Sequence, residues 1–153
     1  MFELSEPQKA IYYMSMISED AVTNIAGDIF FDFDISVAMA KETAVAFLEK
    51  CSEMHTKITV RNGVPFQYID SVHIKAEDIE VKEFCTYCDY ERWAQDDAYK
   101  PINIFGCLYR LYVINISGKV GFYCVTHHII NDASSFNLMA SFACNYLSEK
   151  KNF

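Results

Sequence analysis

No run of about eighteen uninterrupted apolar residues occurs in the chain, so no membrane-spanning helix is predicted. The opening "MFELSEPQKA" lacks the basic stretch and apolar core of a secretory leader. Lys and Arg number 13 against 21 Asp and Glu, a formal charge of −8 with no basic cluster, which argues against a phosphate-backbone partner. These absences predict a soluble, cytoplasmic protein with neither nucleic acid nor membrane as a partner. Internal repeats, low-complexity stretches and linkers are missing as well. With 153 residues, 52% hydrophobic and 22% charged, the chain can bury one core and is too short for two ordinary domains.

Six cysteines without a leader point to a reducing compartment. Cys107, Cys124 and Cys144 lie in apolar runs and read as small hydrophobes. "CTYC" (Cys85, Cys88) has the spacing of a zinc or redox half-site but no matching second pair. His73 and His55 are not positioned to complete it, so no metal is expected.

In "LSEPQKAIYYMSMI" Ser5 and Gln8 form a capping box with Pro7 in the first turn, and Ala10, Ile11, Met14 and Ile17 then share a helical face. Residues 25–33, "IAGDIFFDF", predict a strand, and Ser36 caps a second helix running to about Met54. Asn62-Gly63 between two β-prone runs predicts a type I′ hairpin. "IEVKEFC" reads as a short edge strand and "DYERWAQDDAY" as a polar helix stopped by Pro101. "CLYRLYVINI" and "VGFYCVTHH", joined by Ser117-Gly118-Lys119, predict two buried strands. Phe136, Met139, Ala143 and Tyr146 mark a last helix to about Ser148. The mixed order predicts an α+β fold with helices against one sheet.

"VTHHIINDASS" (125–135) sets two adjacent histidines at a strand end, four and five residues ahead of Asp132. Neighbours on a strand point to opposite faces, so His127 and His128 cannot share one job. Asp132 stands where a helix starts, suited to capping it or to holding the loop by a charged hydrogen bond. A buried strand delivering a histidine to its exit, followed by a loop, is a way for a rigid scaffold to present a base to a cleft. Diverging side chains and the lack of a third ligand argue against a metal here.

At these residues the chain resembles the condensation domains of nonribosomal peptide synthetases, in the acyltransferase superfamily that includes chloramphenicol acetyltransferase. Their HHxxxDG pattern stands here as His127-His128-Ile129-Ile130-Asn131-Asp132-Ala133, with Ser135 where the family often has serine. "LSEPQKAIYYMSMI" is similar to the family's opening motif, and "YKPINIFGCLYRLYVI" to its Pro-Phe-Asp-Leu, Gly-Pro-Leu and Arg-bearing strand. The resemblance covers essentially the whole chain. It implies a chloramphenicol acetyltransferase-like lobe with a mixed sheet: residues 1–153 as the N-terminal lobe of a condensation domain, a fragment whose C-terminal lobe is absent.

The resemblance further implies amide-bond formation between a thioester donor and an amine acceptor in a tunnel between two lobes. Substrates would arrive on the phosphopantetheine of peptidyl or aminoacyl carrier proteins, with no cofactor bound directly and an adenylation domain adjacent. His128 is the catalytic residue carried over, as a base or as a hydrogen-bond donor to the tetrahedral intermediate. His127 and Asp132 carry over as structural, and Ala133 and Ser135 as tunnel positions.

Two departures stand out. Ala133 replaces the motif glycine, which would resist a positive φ or a close substrate approach. In "CSEMHTKI" Cys51 replaces the second motif's histidine, and His55 its arginine, the usual partner of the motif aspartate. Inheritance by His55 would make that pairing protonation-dependent; Arg110 is a second candidate, and a plain helix-end role for His55 a third reading. An isolated lobe is expected to be inactive. The competing functions are a degenerate lobe that docks carrier proteins and a coenzyme A-dependent acyltransferase.

Overall fold

The computed structural model describes residues 1–18, 20–70 and 72–151, without the side chains of Ala133 and Lys151. In chain order the elements are β1 (Phe2–Glu3), α1 (Glu6–Ile17), β2 (Asn24–Phe30), α2 (Val37–Lys50), a 3-10 turn (Ser52–His55), β3 (Thr56–Arg61) and β4 (Val64–Ile69). A second 3-10 turn (Ala76–Asp78) leads to β5 (Glu80–Phe84), α3 (Tyr87–Ala98), β6 (Tyr109–Ile116), β7 (Lys119–His127) and α4 (Ala133–Lys151).

The local signals act as expected. Ser5 accepts from Gln8 N–H while the Gln8 side chain accepts from Ser5 N–H, closing the capping box of α1. Asn62 and Gly63 take φ of 52° and 78°, the double positive φ that a two-residue hairpin needs to match strand twist. Ser117 and Gly118 do the same, so that turn is two residues long and Lys119 already belongs to β7. The edge position of "IEVKEFC" holds, with β5 parallel to β6. Parallel neighbours need a crossover, and α3 supplies it.

The single sheet expected is in fact two: β1-β4-β3 and β2-β7-β6-β5. In the larger one β7 lies between β2 and β6 and is covered on both faces, which is why its sequence is apolar almost throughout. One face carries Val113, Val120, Phe122 and Cys124 against Ala44 and Leu48 of α2 and Met139, Ala143 and Leu147 of α4. The other carries Tyr123 and Val125 against Tyr12 of α1 and Tyr90 and Trp93 of α3. The period-two alternation of β7 thus serves two cores.

Several boundaries and faces differ from expectation. β2 ends at Phe30, opposite Gly121, because the chain turns to drive Phe31 into the core edge-on to Phe122. Gly121 is required there: a Cβ would lie 2.5 Å from the Ile29 carbonyl oxygen. α2 stops at Lys50, since Cys51 is extended and its N–H closes on the Phe47 carbonyl. α4 runs past Ser148 to Lys151, and Leu147 rather than Tyr146 takes the core position. On α1 the buried residue is Tyr12, which leaves Met14 50% and Ile17 86% exposed. Cys107 and Cys144 are exposed, one lying before β6 and the other on the outer side of α4; only Cys124 of that trio is a core residue.

Candidate functional site

β7 ends at His127, and the segment 128–132 joins it to α4. His127 is 0% exposed. Its Nδ1 accepts the Ile129 N–H at 3.1 Å, so the proton of the neutral ring sits on Nε2, which faces Ser15 Oγ at 3.0 Å and Thr23 Oγ1 at 3.1 Å. Ser15 donates its own hydroxyl proton to the Ile11 carbonyl, leaving its oxygen free to accept. Burial, with a smaller contribution from the neighbouring His128, pushes the His127 pKa down to about 4. His127 therefore joins α1, the approach to β2 and the motif loop as a neutral ring.

His128, the first residue past the end of β7, is exposed, and like His127 it lies on the α1 side, so the expected opposition of faces does not hold here. Its backbone N–H donates to the Thr23 carbonyl at 2.7 Å, and its Nδ1 lies 2.7 Å from the Asn131 carbonyl oxygen. A carbonyl only accepts, so Nδ1 carries the proton in the neutral ring and Nε2 keeps its lone pair, without a protein partner among the described residues. The ring lines a groove of about 340 Å³ with Pro7, Gln8 and Ile11 of α1 and Asp132 and Ser135 at the start of α4. On the other side of the loop lies a chamber of about 330 Å³ walled by Phe47, Met54, Cys124, Phe136 and Met139. Groove and chamber share Ile130, Asn131 and Ser135.

Asp132 caps α4. Its Oδ1 accepts the Ser135 N–H at 3.1 Å and the Ser135 hydroxyl at 3.0 Å, and these bonds to Ser135 hold its carboxyl below the usual range. Neither proposed cationic partner reaches it. Arg110 pairs across β6 and β7 with Val125 and so shares the face covered by α1 and α3. There its Nε donates to the buried Asp97 at 3.1 Å, and its Nη2 donates to the Asp97 and Lys100 carbonyls at the end of α3. His55 is buried and Nε2 donates to the Leu48 carbonyl at 2.8 Å, so it satisfies an orphan carbonyl in the last turn of α2. The helix-end reading describes His55, and the shared pairing with Asp132 is corrected for both residues. Ala133 opens α4 with helical backbone, so the positive φ that alanine would resist is not needed there.

Cys85 and Cys88 are free and exposed. Among the described residues no three His, Cys, Asp or Glu side chains are grouped to hold a metal ion, and no helix is long and apolar enough to cross a membrane. The sequence reading missed three residues that build the site. Gln8 donates through Nε2 to the Ile129 carbonyl at 3.1 Å and to Gln67 of β4 at 3.0 Å, tying the loop to α1 and to the smaller sheet. Thr126 and Asn131 are joined at 3.0 Å. The capping role of Gln8 was visible; its contact 121 residues away was not.

No protein-family model matches the chain. It is 26% identical over 92% of its length to surfactin synthase subunit 1 of Bacillus subtilis (strain 168), of which it spans 4%. Among solved structures, the starter condensation domain of rhizomide synthetase superposes with a TM-score of 0.81 at 18% identity, over 93% of this chain and 36% of that one. The first condensation domain of the CDA synthetase gives 0.82 at 12% identity, over 99% of this chain and 41% of that one. The architecture is thus the α+β, chloramphenicol acetyltransferase-like lobe that the motif implied. More particularly, the chain has the fold of a partial condensation domain of the nonribosomal peptide synthetase type, spanning less than half of the solved domains it matches.

Proposed function

We propose that this lobe, completed by a second lobe, forms an amide bond between an acyl or aminoacyl donor and an amine acceptor, both held as thioesters on carrier proteins. The acceptor nitrogen attacks the donor's thioester carbonyl; the C–N bond forms, the C–S bond breaks, and the proton lost by the amine passes through His128 Nε2 to the departing thiolate. The observation that carries this reading is the 2.7 Å contact between His128 Nδ1 and the Asn131 carbonyl, which commits one ring nitrogen and leaves the other as a lone-pair base beside an open groove.

Two further features support it. The apolar chamber behind the loop suits an aliphatic donor chain, and variants of the rhizomide synthetase domain have been solved in complex with C8-CoA. Tyr13, Met14, Met16 and Ile17 form an uncovered apolar strip on α1, the kind of surface a second lobe or a neighbouring domain would cover.

The test is a single-turnover assay on the full condensation domain with two loaded carrier proteins. Wild type should transfer the acyl group, and His128→Ala should lose about 10²–10⁴-fold in rate. Retained transfer in that variant sinks the catalytic role. A folded wild type that binds carriers and transfers nothing would make the lobe a docking module.

A further inference from the structure

We infer that Asn131, anchored by Thr126, is the positioning residue that sets which ring nitrogen of His128 carries the proton. The argument is local. The peptide group linking Asn131 to Asp132 is held at both ends: its carbonyl oxygen accepts from His128 Nδ1 at 2.7 Å, and its N–H donates to Asn131 Oδ1 at 3.1 Å. The same side chain donates through Nδ2 to Thr126 Oγ1 at 3.0 Å. Thr126 is 1% exposed, on the central strand of the larger sheet. One amide therefore transmits the rigidity of the sheet to the peptide plane that His128 reads.

The other loop contacts do not substitute for it. His128 N–H to the Thr23 carbonyl and Gln8 to the Ile129 carbonyl fix backbone on the histidine side of the loop, and neither touches the Asn131–Asp132 peptide. The Asp132 N–H is 3.5 Å from Ser135 Oγ, a weaker alternative to Asn131 Oδ1. If that peptide rotates, a second N–H donor replaces the carbonyl acceptor near Nδ1, and the ring must shift its proton to Nε2 or lose the contact. A ring protonated at Nε2 can no longer accept the amine proton.

The inference rests on the proposed role of His128 only in its kinetic arm, because the tautomer can be read without any reaction. In the ¹⁵N-histidine-labelled chain, ring nitrogen shifts of neutral His128, assigned by the signal missing in His128→Gln, should report Nδ1–H in wild type. Thr126→Val, which keeps the shape and removes the hydroxyl, and Asn131→Ala should each yield a mixture of tautomers. In the full domain both should lower kcat about tenfold with KM little changed, the scale of a misoriented catalytic group. Thr126→Ser should restore both readouts. Folded Thr126→Val and Asn131→Ala proteins that retain the wild-type Nδ1–H signal would overturn the inference, as would a Thr126→Ser protein behaving like Thr126→Val. Correct tautomers in a wild type without transfer would remove the proposed function and leave this positioning role standing.

Discussion

At the end of β7, His127 has both ring nitrogens hydrogen-bonded and no exposed surface, while His128, one residue on, has one nitrogen committed and its ring open to a groove. The side chains are identical and the backbone is continuous. What separates them is the end of β7: His127 is its last residue and packs against α1, while His128 is the first residue of the loop and stands at the mouth of the groove. A paired histidine motif thus divides into an anchor, whose worth is stability, and a reagent, whose worth is chemistry. Each half of that division can be tested alone.

The largest expected contrast is thermodynamic. His127→Ala should cost about 3–4 kcal/mol, because it opens a cavity and strands the Ile129 N–H in the interior. His128→Ala should stay within about 0.5 kcal/mol of wild type, as exposed positions do. Urea unfolding of the two variants side by side checks this, and comparable losses would erase the distinction.

A slightly smaller effect concerns acid. The folded His127 pKa of about 4 lies below the ordinary 6.5, so the unfolded chain binds the extra proton first. The neutral ring supports the fold fully above about pH 6.5, and that support drains away as the pH falls toward 4, for a loss of about 3 kcal/mol. The groups against the ring are the Ser15 and Thr23 hydroxyls, which do not titrate in this range, and the neighbouring imidazole of His128. Carboxylates titrate in the same window, so the informative quantity is wild type minus His127→Gln. A difference that does not change with pH would mean that His127 is not buried in solution.

The smallest effect belongs to the cap. Asp132→Ala should lower the urea midpoint slightly through the first turn of α4, and Asp132→Asn by less, because the amide oxygen can still accept from Ser135. A much larger loss from Asp132→Asn would point to an ion pair that this geometry does not contain.

Much of the fold was legible in local chemistry. Ser5 with Gln8, Ser36, and Asn62-Gly63 act over three or four residues, where a hydrogen bond or a positive φ has one geometric solution. The apolar run of β7 announced burial on both faces. Faces and partners were read less well. Met14 and Ile17 have helical spacing but no local feature that says which side of α1 meets the sheet, and Tyr12 took that place. Arg110 and His55 were credible partners for Asp132 by residue type. Their real partners, Asp97 and the Leu48 carbonyl, follow from which face of β6 carries Arg110 and from the turn that folds His55 back onto α2.

The sequence by itself determined the element order, the turns and the resemblance to a condensation-domain lobe, because each rests on periodicity or on contacts between near neighbours. Only the tertiary structure decided that the strands form two sheets, that Gln8 and Ser15 of α1 hold a loop more than a hundred residues away, and that Asn131 rather than Asp132 meets the His128 ring. Those contacts depend on strand register and on the side of the sheet each helix occupies, which the packing of the whole core selects.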